Sequence, residues 1–121
     1  MPGNDPITTS VTHQDGVAVV AVGGDVDVAT VSTLEDAITD ALDAKPTALV
    51  IDLTDVDFLA SAGLQTLVAT NEALSKGTGF AVVANGPATS RPIQLTGLDQ
   101  VFALYPTLAE AIAALNAAPR N

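Results

Sequence analysis

The sequence predicts an α/β fold, a single mixed β-sheet of four or five strands with about four helices packed on it. Three observations carry this expectation. Short β-branched runs alternate with stretches of helical periodicity from residue 17 onward. Asp15-Gly16 separates the first two apolar runs, and that pair tolerates the positive φ angles of a two-residue hairpin turn. After this hairpin a helical stretch intervenes between successive strand runs, so the remaining strands are expected to pair in parallel through right-handed crossovers.

Taken in order, Ile7–His13 alternates, with Ile7, Thr9, Val11 and His13 on one face. Val17–Val22 is a β-branched run suited to a central strand, and Gly23-Gly24-Asp25-Val26-Asp27 is expected to break it. From about Ala29 the pattern turns helical. Val31, Leu34, Ile38 and Leu42 share a face, Ser32 and Glu35 have capping-box spacing, and Lys45-Pro46 ends the helix. Ala48–Leu53 reads as a buried third strand leading into an acidic turn.

A second helix is expected from Ser61 to Lys76, with Leu64, Leu67, Val68 and Leu74 inward and Gly77 as its stop. Phe80–Ala84 is a fourth strand closed by Asn85-Gly86-Pro87. A short helix around Ser90–Thr96 ends at Gly97, and Val101–Tyr105 suits an edge strand. Thr107–Leu115 closes the domain as a helix, with Leu108, Ala111, Ile112 and Leu115 inward. Residues 7–115 therefore form one expected domain, with 1–6 and 116–121 as short flexible termini.

Composition narrows the function classes. The 121 residues suffice for one core, and 48% hydrophobic against 15% charged content excludes a disordered chain. No cysteine is present, which removes disulfides, thiolate catalysis and cysteine metal sites and suits a cytoplasmic setting. The first residues lack the basic and apolar regions of a leader peptide, so none is expected. The longest apolar run, Val17–Val22, falls far short of the roughly 20 residues that span a bilayer. With a formal charge of -10 and only Lys45, Lys76, Arg91 and Arg120 as cations, no nucleic-acid or anionic membrane partner is expected. A protein partner with a basic face suits such a surface.

The informative segment is Ile51–Asn71, where a buried strand delivers Phe58-Leu59-Ala60-Ser61-Ala62-Gly63-Leu64 to the start of a helix. Ser61 can be read as nucleophile, helix cap or charge switch. A nucleophile needs a base, the only histidine is His13 in the first hairpin, and no G-x-S-x-G elbow is present. Asp25 with Asp27, and Asp55 with Asp57, offer paired carboxylates, but loop acids of this kind are usually solvated and lack the density of a calcium loop. Gly23-Gly24 and Gly77-Thr78-Gly79 lack the phosphate-binding fingerprints and read as turns. No catalytic residue, metal site or cofactor is expected. A helix N-terminus at Ser61 leaves anion or nucleotide binding open.

The stretch from Phe58 to Leu64 resembles the phosphorylation loop of the STAS domain, in particular that of bacterial anti-sigma factor antagonists. There a buried strand leads to a hydrophobic pair and then commonly to Asp-Ser-Ser-Gly-Leu or Asp-Ser-Thr-Gly-Leu. Gly24-Asp25-Val26-Asp27 matches the family's second element, Gly-Glu-Leu-Asp. The resemblance covers roughly Ile7–Leu115. It implies a non-enzymatic protein that binds an anti-sigma factor, a kinase with a GHKL-type ATP site, and so frees a sigma factor. It makes Ser61 the phosphoacceptor, whose modification ends binding. The implied contact surface is Gly24, Asp25 and Asp27 with Phe58, Leu59, Ala60, Ser61, Ala62, Gly63 and Leu64. Ala60 replaces the family's aspartate and Ala62 its second hydroxyl residue, and Asp27 is the acid implied to stand in for part of that loss. A module of the same fold that binds another partner, a small ligand or a nucleotide without phosphorylation is the competing expectation.

Overall fold

The computed structural model describes residues 6–74 and 77–117, with the side chain of residue 117 left aside. The helix end expected at Lys76 and most of the two termini lie outside these residues. β1 (Ile7–Gln14) and β2 (Val17–Val26) form the expected hairpin, with Asp15 and Gly16 at φ 55° and 82°. α1 (Val31–Asp43), β3 (Ala48–Leu59), α2 (Ser61–Ala73) and β4 (Gly79–Val83) follow. α3 (Ser90–Leu95), a 3-10 turn at Leu98–Gln100, β5 (Ala103–Tyr105) and α4 (Leu108–Ala117) complete the described chain. One sheet runs in the order β1-β2-β3-β4-β5, antiparallel at β1/β2 and parallel thereafter.

The side-chain pattern sorts the sheet's two faces. On one, Ala18, Val20, Leu49, Ile51 and Val82 pack with Leu34 and Ile38 of α1, Leu67 of α2 and Ile93 of α3. On the other, Val17, Val19, Val50, Ala81 and Val83 pack with Ala111, Leu108, Ile112 and Leu115 of α4. Strands flanked on both faces are apolar at successive positions, which is why β2 and β3 open as continuous runs rather than alternating.

Four expectations need correction. Gly23-Gly24 does not break β2, which continues to Val26 between two pairing strands. Gly24 sits at φ 88°, where an added Cβ would run into the Pro6 carbonyl, and that carbonyl accepts the Asp25 N–H at 2.7 Å. Only glycine fits this close approach. The acidic stretch after Leu53 is not a turn: β3 carries on to Leu59. The β2/β3 register slips between Ala21 and Gly23 and again between Gly24 and Asp25, so β3 accommodates an extra residue at each place.

The Ser32/Glu35 capping box does not form. Thr30 is the residue preceding α1, and the turn before it is held by Asp27. Finally, α2 stops at Ala73, before Gly77, because the backbone turns extended at Leu74 (φ -69°, ψ 143°).

Candidate functional site

The strands β2 and β3 end together, and in parallel α/β sheets the crevice beyond the strand carboxyl ends is where sites are built. Val26 pairs with Leu59, and the Ala60 N–H donates to the Val26 carbonyl at 2.8 Å. Ala60 is extended (φ -87°, ψ 172°) and its carbonyl accepts from the Gly63 and Leu64 N–H groups at 2.9 and 3.2 Å. Ala60 therefore occupies the N-cap position and Ser61 the first helical position. The cap reading of Ser61 is thereby corrected: no side chain caps α2, and the exposed Ser61 hydroxyl has no hydrogen-bond partner among the described residues.

The rest of the loop divides into residues that shape it and residues that it presents. Leu59, Gly63 and Leu64 are buried. A Cβ on Gly63 would lie 2.6 Å from Leu59 Cδ1 and 2.7 Å from Val26 Cγ1, so glycine lets the first turn of α2 sit directly on the strand ends. Ala62 is half-buried, and its carbonyl accepts the Thr66 hydroxyl at 3.0 Å. Phe58, by contrast, is 53% exposed. Its partner across the strands is Asp25, whose side chain also faces solvent.

Asp27 belongs to α1 rather than to Ser61. Its Oδ1 accepts the N–H groups of Ala29 and Thr30 at 2.9 and 3.1 Å. The Thr30 hydroxyl accepts the Asp27 N–H and donates to the Asp25 carbonyl, each at 2.9 Å. Asp27, through Oδ1, takes up the Ala29 amide and reinforces the Thr30 amide, which also donates to the Asp27 carbonyl at 3.1 Å. It is thus a turn-forming acid, and a role as stand-in for the residue replaced by Ala60 has no hydrogen bond behind it.

Two features escaped the sequence reading. Val28, in this turn, is 83% exposed, the most exposed of the large apolar side chains among the described residues. Its only sequence signal is an isolated valine inside a polar turn. A groove of about 410 Å³ also opens beside Ser61, between α2 and the chain after α3. Leu64, Val68, Ala69 and Leu98 give it an apolar wall, and Glu72 is the charged residue on its rim. It was hidden because Leu98 reaches α2 only through the tertiary fold. His13 is exposed beside the β1/β2 turn, at the opposite end of the sheet, so no imidazole reaches Ser61. Among the described residues no helix is long and apolar enough to cross a membrane.

Comparison with known proteins agrees with this architecture. A STAS domain family model matches residues 8–111. The anti-sigma-F factor antagonist RsfB of Mycobacterium tuberculosis is 47% identical over 112 residues, which span 93% of this chain and 92% of that protein. The crystal structure of an anti-sigma factor antagonist from Mycobacterium paratuberculosis superimposes with a TM-score of 0.90 at 54% identity. It covers 96% of this chain and 99% of its own. The unphosphorylated antagonist SpoIIAA superimposes at 0.70 with 18% identity, covering 93% and 99%, which shows a shared fold alone.

Proposed function

This chain belongs to the STAS domain family, and we propose that it acts there as a cytoplasmic anti-sigma factor antagonist. It binds an anti-sigma factor of the GHKL kinase type, releases a sigma factor, and is switched off by phosphorylation of Ser61. The observation that carries the switch is the Ser61 hydroxyl, which is exposed, without a hydrogen-bond partner among the described residues, and fixed at the first turn of α2. A kinase needs an acceptor that it can reach without unfolding the loop, and this geometry supplies one.

The physical chemistry of a phosphate here is asymmetric. It adds about -1.5 to -2 charge at neutral pH. The dipole of α2 favours that charge within the isolated chain, by about 0.3–1 kcal/mol at an exposed helix start. A docked partner meets the same charge across a surface that already presents Asp25, Asp55 and Asp57. A close like-charge contact costs about 1 kcal/mol in water and about 4 kcal/mol at an effective dielectric of 20. At about 1.4 kcal/mol per tenfold, one phosphate is enough to release a moderately bound partner.

The test is direct. Candidate anti-sigma factors from the source organism are incubated with the chain and ATP, and the phosphate is located by mass spectrometry. Phosphate on Ser61, absent from Ser61→Ala, is the expected result. Ser61→Glu is expected to lose binding to the anti-sigma factor that captures the unmodified chain, and equally tight binding by Ser61→Glu would sink the switch.

The groove beside Ser61 favours a second reading, a ligand-binding module. Its lining holds no cation to neutralise a nucleotide's phosphates, so a small apolar or flat-ring ligand fits it better than a nucleotide does. Calorimetric titration of GTP and of apolar ligands distinguishes the two.

A further inference from the structure

We propose that Val28 is the apolar anchor by which this protein grips its partner. The partner surface that fits is an apolar pocket rimmed by Lys or Arg side chains. This rests on the antagonist reading and assigns much of its binding energy to Val28, which lies outside the Phe58–Leu64 loop.

An exposed valine is common, but this one is held in an unusual way. Val28 lies between Asp27, whose carboxylate accepts two amides of the same turn, and Thr30, whose hydroxyl bridges the Asp25 carbonyl and the Asp27 N–H. Thr30 itself is 5% exposed, so the turn is pinned from within the fold. The turn is therefore rigid, and a rigid apolar side chain loses little conformational freedom on docking. Val28 follows Val26, whose carbonyl holds the Ala60 N–H, so the turn begins at the base of the Ser61 loop. Phe58 lies on the neighbouring strand opposite Asp25. Val28 and Phe58, both large, exposed and apolar, thus belong to the chain segments at the paired ends of β2 and β3, which suits the apolar centre of a protein interface.

Charge selects the occupant. Asp25, Asp55 and Asp57 are exposed on β2 and β3. The one described cation at this end of the sheet, Arg91, lies in the first turn of α3, which follows β4, whereas Val28 follows β2, two strands away in the sheet order. Lys45 follows α1 at the other end. A second copy of this chain, with a formal charge of -10, would bring like charge onto like. A basic-rimmed protein pocket meets attraction instead.

The probe is the full-length anti-sigma factor that captures the unmodified chain in the assay above, measured by surface plasmon resonance. Val28→Ser is expected to weaken binding about tenfold, as befits the loss of roughly one buried aliphatic side chain. Val28→Leu is expected to restore it to within about threefold of the native chain, a rescue that general damage to the turn would not give. Because Val28 is almost fully exposed, the thermal midpoint of Val28→Ser should match that of the native chain. Val28→Ser binding within about twofold of native overturns the anchor while leaving the antagonist reading intact. A native chain that binds no candidate anti-sigma factor overturns both. A concentration-dependent dimer, abolished in Val28→Ser, overturns the proposal in favour of a second copy as the occupant.

Discussion

At the residue scale, two neighbours in the Ser61 loop have opposite sensitivities. The Ser61 side chain makes no hydrogen bond among the described residues, so Ser61→Ala is expected to change unfolding stability by less than about 0.5 kcal/mol in urea titration. A serine that capped α2 would instead lose about 1 kcal/mol. Gly63→Ala is a contest between two effects. Alanine improves helix propensity by up to about 1 kcal/mol, but its methyl would press on Leu59 and Val26 at 2.6 and 2.7 Å, and overpacking costs about 1–3 kcal/mol. Both neighbours are buried, Val26 completely, so the clash should win. Net destabilisation in urea titration is the expected outcome, and a stabilised Gly63→Ala protein would show that the strand ends yield.

At the element scale, the starts of α1 and α2 differ in kind. α1 is preceded by a side-chain-stabilised turn, whereas the start of α2 is bare, with neither a side-chain cap nor an acid in its first turn. Asp27→Ala is expected to cost about 1 kcal/mol and to speed hydrogen exchange of the amides at the start of α1, while α2 stays protected. In α2 the vacancy has the opposite consequence. A negative charge at Ser61 adds a favourable dipole contact that the native helix lacks, so Ser61→Glu should have a thermal midpoint equal to or above that of the native chain. Loss of partner binding without loss of stability separates a switch from a damaged fold, and a lowered midpoint would contradict the helix-dipole argument.

At the scale of the whole molecule, the formal charge of -10 acts on encounter more than on fold. Association with a basic partner should slow as salt rises from low to physiological concentration, because the Debye length shrinks to about 8 Å at 0.15 M. Removing a rim acid, as in Asp25→Asn, is expected to lower the association rate and flatten its salt dependence while the dissociation rate stays nearly constant. Stopped-flow association at several salt concentrations reads both, and a rate indifferent to salt would remove electrostatic steering.

The local pattern of the chain determined the element order, the hairpin and the parallel crossovers, because strand and helix periodicities and turn residues are properties of short segments. It also placed Ser61 at the opening of α2, since the strand-to-helix change is written in Ala48–Leu53 and Leu64–Val68. What it could not determine was the second half of β3. There Leu53, Val56 and Leu59 are buried at every third position, a spacing created by the two register slips against β2 and invisible to a rule of alternation. The same holds for Gly23-Gly24, which reads as a breaker in isolation and stays in strand only because β1 and β3 pair on either side. Asp27 shows the limit most plainly. As a sequence position it matched an acid beside the loop, yet its carboxylate closes the turn before α1, because the amides of Ala29 and Thr30 lie within hydrogen-bond reach. Tertiary pairing decided these points, since bulges and side-chain partners depend on which strand or turn lies alongside, and neighbouring residues alone do not carry that information.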